Sequence, residues 1–256
     1  MYEVTRLLPK DQFDELVERL PTPRWKGIGR PRCEKEALIT GMLQVLILGI
    51  GWNKIFDCGV SPSSCYRYFR ELQRRGILKK EFKKLVNVKT DITEGAIDTD
   101  STRSFRFKFC TAWDGKHKQI ATKISLFTDI NGLPADVLFG SGKVHDKTFV
   151  CQHLKNTRGK RKRILNLDKI YVSLELRRNL RKFGTYVNMK TRKGDYIRKR
   201  GPKFGLKEDK YKVRFLVEKT FAWMENFKRC KYRIDRLLSS FKGFVYLALL
   251  IILIRN

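Results

Sequence analysis

Glu218 stands in the segment Tyr211-Lys-Val-Arg214-Phe-Leu-Val-Glu218-Lys-Thr-Phe-Ala-Trp223, an acid in a strongly basic chain. Tyr211, Arg214 and Glu218 are spaced i, i+3, i+7 and share one face if the segment is helical. Val213, Leu216, Val217, Phe221, Trp223, Met224 and Phe227 recur at helical period and give that helix an apolar face. A carboxylate fixed on a packed helix suits a hard cation. Two more acids fall at informative places. Asp98 follows the strand-like run Gly95-Ala-Ile. Asp168 follows Ile164-Leu-Asn-Leu, where ligands gather at the carboxyl ends of strands in open sheets. Three carboxylates from two strands and a helix could hold two Mg²⁺ ions, with Mn²⁺ as a substitute, because such ions take oxygen ligands. The pair would activate an attacking hydroxyl and stabilise the leaving oxygen of a phosphodiester. The first acid is open between two positions. Asp98 and Asp100 lie on the same side of a strand; Asp98 is favoured, and Asp100 is a second ligand or the ligand itself. Singly, an Asp at a strand end is usually a turn or cap residue, so the argument rests on all three in this order.

The charge supports a polyanionic partner. The chain of 256 residues carries 56 Lys and Arg against 26 Asp and Glu, a formal charge of +30. Such self-repulsion makes sense beside nucleic acid first and an anionic membrane surface second, and binding of that kind is strongly salt-dependent. The six cysteines (Cys33, Cys58, Cys65, Cys110, Cys151 and Cys230) form no C-x-x-C pair, which argues against zinc and for free thiols in a reducing cytosol. Met1-Tyr-Glu-Val-Thr-Arg is polar, unlike a secretory signal. Phe244–Ile254 is an apolar run shorter than the roughly 18 residues a bilayer requires, so a buried terminal helix and no membrane are expected.

The elements that must position the acids follow from periodicity and breakers. Residues 1–90 read as a small all-helical domain. Asp11–Leu20 is amphipathic, Glu34–Leu48 is an apolar helix ended by Gly49 and Gly51, and Ser61-Pro62-Ser-Ser64 opens a basic helix with good capping chemistry. That helix carries Arg67, Arg70, Arg74 and Arg75, the outline of a helix-turn-helix whose second helix enters the major groove; a helical bundle with a solvated basic face explains the segment equally well. Residues 91–256 change pattern. Strands are expected at Gly95–Asp100, Thr122–Asp129, Leu133–Phe139, Ile164–Asp168 and Thr185–Met189, with Asn131-Gly132 as a hairpin turn. Helices are expected at Asp146–Leu154, Ser173–Phe183, the Glu218 segment and Leu237–Ile254. A basic loop lies at 155–163 and a basic insertion near 190–210. Three antiparallel strands leading into α/β alternation outline an α/β ribonuclease H-like fold, a mixed sheet flanked by helices.

The chain resembles the DDE-type insertion-sequence transposases, in the branch marked by Tyr-x2-Arg-x3-Glu-x6-Lys. Tyr211, Arg214 and Glu218 match that spacing, while Glu225 stands at the Lys position and the nearby Lys228 and Arg229 are expected to take over its contact to DNA. Leu167-Asp168-Lys-Ile-Tyr171, Lys116-His-Lys-Gln-Ile-Ala-Thr-Lys123-Ile, Gly142-Lys-Val-His145-Asp146, Gly29-Arg30-Pro31-Arg32 and Gly49-Ile-Gly51-Trp52 resemble further family segments. The resemblance implies Asp98, Asp168 and Glu218 as metal ligands, and Arg214 and Tyr211 as contacts to DNA phosphate or the flanking strand, Arg by its fork and Tyr by its hydroxyl and stacking face. An i,i+4 bridge to Glu218 is the plainer role for Arg214. It also implies double-stranded DNA as partner, at element ends and target, a homodimer or larger synaptic complex, and a cytoplasmic, nucleoid-associated location. His145 and Asp146 read as a residue touching DNA or structure and a helix cap. The rival readings are a transposase relative that has lost activity and only binds DNA, and an RNA-binding protein, which the ordered carboxylates disfavour.

Overall fold

The structure is a computed structural model, and it describes residues 8–23, 27, 31–157, 163–171, 173–190 and 205–256. Gly29, Arg30, most of the basic loop at 155–163 and most of the insertion at 190–210 lie outside the described residues. In chain order the elements are α1 (Lys10–Arg19), α2 (Lys35–Leu48), α3 (Pro62–Arg74), α4 (Ile77–Lys89), β1 (Glu94–Ser104), β2 (Ala112–Asp114), β3 (Gln119–Asp129), β4 (Pro134–Ser141), α5 (Lys147–Asn156), β5 (Arg163–Asn166), α6 (Leu174–Arg181), β6 (Thr185–Asn188), α7 (Glu208–Tyr211), α8 (Arg214–Glu225), α9 (Lys228–Lys231), β7 (Tyr232–Arg233) and α10 (Leu238–Arg255). They group into two compact units. One comprises Met1–Val88, Arg103–Phe109 and Trp223–Asn256; the other comprises Lys89–Thr102 and Cys110–Ala222.

The second unit is built on a mixed sheet in which β4, β3, β1, β5 and β6 follow one another across, and β2 adds to β3. β1, β5 and β6 run parallel, and β3 runs antiparallel to β2 and β4. The contacts between β1 and β3 also run in opposite senses: Thr128 reaches the Ala96 carbonyl, Ser125 the Asp98 carbonyl and Gln119 the Ser101 carbonyl. This is the strand arrangement expected of a ribonuclease H-like fold. Asn131-Gly132 makes the expected turn, with Gly132 at φ 82° and the Asp129 carboxylate accepting the Asn131 and Leu133 amides at 2.9 and 2.7 Å. Gly95 is required by a close approach: a Cβ there would lie 2.2 Å from the Thr128 carbonyl oxygen. The short strands β2 and β7 were not expected; two or three residues carry no readable alternation.

The first unit is helical. Ser61 caps α3 as expected, its hydroxyl accepting the Ser64 amide at 3.3 Å with Pro62 at the first helical position. The buried side chain of Gln44 on α2 holds the connection to α3 by donating to the Phe56 carbonyl at 2.6 Å and accepting the Phe56 amide at 3.0 Å. α10 is longer than the apolar run that announced it. At 18 residues it is long and apolar enough to cross a membrane by length and composition, and it is mostly buried. It groups with the N-terminal helices rather than with the sheet, where a domain of 91–256 would have put it. An all-apolar helix must be surrounded, and α1 and α3 supply surfaces for it. Phe244 stacks on Phe69 with ring centroids 4.3 Å apart.

Five expected DNA contacts lie in this unit with different fates. Arg67 and Arg74 are exposed on α3. Arg70 is half-buried and donates to Gln73 and to Ser240 of α10, both at 3.1 Å, so packing holds it in place. Lys228 is exposed. Arg229 corrects the sequence expectation: it is 7% exposed and forms a two-pronged pair with Asp235 at 2.9 and 3.0 Å, with its ring neighbour Phe244 at 5.3 Å. A guanidinium enclosed in this way is structural. Arg229→Ala would strand the Asp235 carboxylate in the interior, and it is expected to destabilise the protein by about 3–5 kcal/mol in chemical denaturation. An unchanged unfolding midpoint would show the pair to be dispensable.

Candidate active site

The parallel pairing of β1 with β5 does the first piece of work. Glu94 pairs with Ile164, Gly95 with Leu165 and Ala96 with Asn166. The paired register ends there; Asp98 and Asp168 each follow it by two residues, Asp168 beyond the end of β5, and Asp168 acts on Asp98 as a nearby like charge. Asp168 leaves β5 into a short 3-10 turn at Lys169–Tyr171. Its carboxylate accepts the Lys169 amide at 2.7 Å and its carbonyl accepts the Tyr171 amide at 3.0 Å. That turn aims the buried Tyr171 hydroxyl back at Asp98 Oδ1, 3.5 Å away. Burial pushes the Asp98 carboxyl up to about 6. The Thr99 amide and Lys116 oppose the shift, Asp168 adds to it as a like charge, and Arg214 opposes it. Asp98 thus meets Asp168 and Arg214 electrostatically, and this favours it over its neighbour on the same strand face, the half-buried Asp100.

The helix segment differs from the continuous helix expected. α7 ends at Tyr211, Lys212 and Val213 form a turn, and α8 begins at Arg214. The Val213 amide reaches back only three residues, to Lys210, which tightens the chain there. α7 is tied to the sheet by a buried polar chain. Lys210 bridges Glu94 at 2.9 Å, Asn166 donates to Glu94 at 3.1 Å, and Asn188 donates to Asn166 at 2.8 Å while accepting the Lys207 amide at 2.9 Å. α8 is held by Thr220, whose hydroxyl donates to the Gly132 carbonyl of the β3–β4 turn. Arg214, 16% exposed, bridges Glu218 at 3.2 Å, and the Glu218 side chain is 53% exposed. The Arg214 guanidinium also lies over the rings of Phe215 and Tyr211, at 4.4 and 5.7 Å. Tyr211 is buried, and Lys190 lies 5.4 Å from its ring. Its ring is therefore engaged by cations rather than open for base stacking. Burial raises its hydroxyl, with Arg214 opposing.

Two members of this site were not singled out from sequence. Tyr171 was quoted only inside a motif. Lys116 stands on the β2–β3 turn, which Asp114 fastens. The Asp114 carboxylate accepts the Lys116 amide at 2.9 Å, faces His117 Nδ1 at 2.9 Å and accepts the Ser101 hydroxyl of β1. A turn pinned to the strand that bears Asp98 brings the Lys116 charge to bear on that acid. Asp146 departs from its expected role: it stands at the start of α5, but its side chain makes no cap hydrogen bond and instead pairs with Lys123 at 2.7 Å. His145 is exposed. Glu225 pairs with Lys231 at 3.3 Å, a surface pair that uses the acid found at the signature's Lys position.

Among the described residues no three His, Cys, Asp or Glu side chains are gathered closely enough to hold an ion. Asp98 and Asp168 nevertheless fit one. Both present hard oxygen donors, and the raised Asp98 pKa marks a place where buried negative charge lacks full compensation. Arg214 supplies countercharge in this state and ties Glu218 back on its own helix.

Residues 89–253 match the family described as transposase DDE domain. The chain belongs to this family. No match was found among curated protein sequences. Among solved structures, the chain is similar to the cryo-EM structure of a piggyBac transposase synaptic complex with hairpin DNA, at 13% identity and a TM-score of 0.55, over 98% of this chain and 72% of that one. At this identity the likeness is one of fold, and with the strand order above it establishes the ribonuclease H-like architecture of the transposase. Enzymes of the DDE family work on DNA with divalent metal ions, so the carboxylate face is where activity is sought.

A folded pKa above the unfolded one means that the folded state binds the proton more tightly. Asp98 therefore weighs against folding increasingly as pH rises from about 4 to about 6, and fully above that. In divalent-free buffer at pH 7, Asp98→Asn is expected to stabilise the transposase by about 2–3 kcal/mol, with the gain fading toward pH 4. Denaturation curves showing equal stability at pH 7 would contradict the buried, uncompensated carboxylate.

Proposed function

We propose that the protein is a transposase that binds the terminal inverted repeats of its own element, cleaves DNA at the element ends and joins the freed 3′ hydroxyl to target DNA. The observation that supports this reading is the charge of Asp168 acting on the buried Asp98 carboxyl, with Arg214 acting on the same carboxyl while bridging Glu218. Asp98, Asp168 and Glu218 are the proposed ligands, with Asp100 within reach on the same strand face. Divalent ions, Mg²⁺ or Mn²⁺, would supply Lewis acidity toward the attacking and leaving oxygens. The chain's own residues do the rest. Asp98 on β1 and Asp168 at the turn after β5 supply the negative charge. The Tyr171 hydroxyl and Thr99 amide orient Asp98. Arg214, whose Nε has no hydrogen-bond partner among the described residues, is placed to exchange Glu218 for a phosphate. That exchange frees Glu218 to turn toward the strands. Arg67 and Arg74, exposed on the capped helix α3, suit contacts to the phosphate backbone of the repeat.

Cutting and joining two ends requires at least two copies of the catalytic face, so a dimer or larger synaptic complex is part of the proposal, as is action on chromosomal DNA in the cytoplasm. A second reading, a relative that binds DNA without cutting it, draws on the lack of a gathered three-acid cluster among the described residues. The experiment that separates them is nicking of DNA carrying the element ends, with Mg²⁺ or Mn²⁺. Glu218→Gln and Asp168→Asn are expected to retain DNA affinity and to lose far more than the roughly 100-fold that removal of a supporting residue brings. If wild type binds the ends and never nicks them with either ion, the enzymatic reading fails and the binding-only reading stands.

A further inference from the structure

The helical unit carries a second feature that the carboxylate face does not use. Where β1 ends, Arg103-Ser-Phe-Arg106-Phe-Lys108-Phe109 alternates cations with aromatic or small residues. Arg103 and Ser104 pair in parallel with Tyr232 and Arg233 of β7. Between the two segments lies a cleft of about 280 Å³, lined by Arg103, Ser104, Phe105, Tyr232, Arg233 and Ile234. Its apolar groups face solvent: Phe105 is 67% exposed, Tyr232 49% and Ile234 41%. Such exposure opposes folding stability, and contiguous exposed apolar surface marks a binding site. The surface is held rather than loose. Phe105 meets the edge of Phe107, with centroids 6.1 Å apart; Phe107 lies under the Arg233 guanidinium at 5.3 Å, and Arg233 is wholly buried against Phe241. Ser104 Oγ is buried with no hydrogen-bond partner among the described residues.

We infer that this cleft receives an unpaired, unstacked base of a DNA strand, with the adjoining phosphates on Arg103 and Arg106. Aromatic faces that stack bases, set between cations, form the usual surface for single strands. The charge is complementary: no acid lines the cleft, Arg103 lines it and is exposed, and Arg106, Lys108 and Arg236 are exposed beside it in the chain. The volume matches a base with its sugar rather than a duplex. The inference deepens the transposase reading and rests on it, since strand cleavage and joining expose unpaired nucleotides at DNA ends.

The test is fluorescence anisotropy with labelled oligothymidine of about twelve nucleotides and, separately, a blunt duplex of equal length. Phe105→Ala and Tyr232→Ala replace exposed side chains, and circular dichroism checks that each variant folds. Each is expected to weaken single-strand binding by about tenfold and to leave duplex binding within about twofold, while Phe105→Trp restores the affinity. Arg103→Gln is expected to weaken single-strand binding and flatten its salt dependence. Equal losses on single strand and duplex, or no loss on either, overturn the inference. So does an unchanged single-strand affinity with an altered mass in light scattering, which would assign the surface to a second copy of the chain. Wild type that binds oligothymidine through these residues but never nicks DNA would sink the transposase reading and leave the cleft standing; nicking without dependence on the cleft would do the reverse.

Discussion

Burial strips the Asp98 carboxylate of water, and the like charge of Asp168 nearby adds to the strain of ionising it. That constraint, Asp98 beside Asp168, explains much of what surrounds it. The strands are tied together because the buried Asn166 and Asn188 link β1, β5 and β6 with Glu94, which the exposed Lys210 bridges from outside. They lie close to β3 as well, because Gly95 lets the Thr128 carbonyl approach to a distance no side chain would allow. Rigid placement of like charge costs stability, and the cost is tolerated where function requires the charge.

Two cations act on Asp98 from different elements. Lys116 arrives on a turn fastened by Asp114, and Arg214 arrives on a helix fastened by Thr220 to the β3–β4 turn. Both act on Asp98 through space, and only Arg214 is committed to an acid, Glu218. An arginine can hold a carboxylate or a phosphate with the same fork. The Arg214–Glu218 contact has its carboxylate half exposed, so water screens it and it contributes little to stability.

Much of the sheet was legible because its signals are local. The Asn131-Gly132 turn, the alternating strands on either side and the Ser61-Pro62 cap each follow from residues next to one another. The three acids could be ordered along the chain for the same reason. What the sequence could not convey depends on partners distant in the chain. Lys228 and Arg229 are neighbours of like charge, yet one is exposed and the other is enclosed with Asp235 and Phe244. Asp146 looks like a cap until Lys123 of β3 is brought to it. The helix break at Lys212–Val213 has no proline or glycine to announce it. Lys116 resembles any cation on a basic surface until the turn that holds it is seen pinned to Ser101.

The helical unit is assembled from Met1–Val88, Arg103–Phe109 and Trp223–Asn256, so its helices come from segments that flank most of the sheet unit in sequence. During synthesis α1 and α3 therefore leave the ribosome long before α10, the apolar helix that completes their core. Until then their inner surfaces have no native cover, and a chain broken off anywhere within the sheet would carry them uncovered. Completion of the helical unit is thereby coupled to synthesis of the sheet unit: no fragment that stops within the sheet presents a finished helical core.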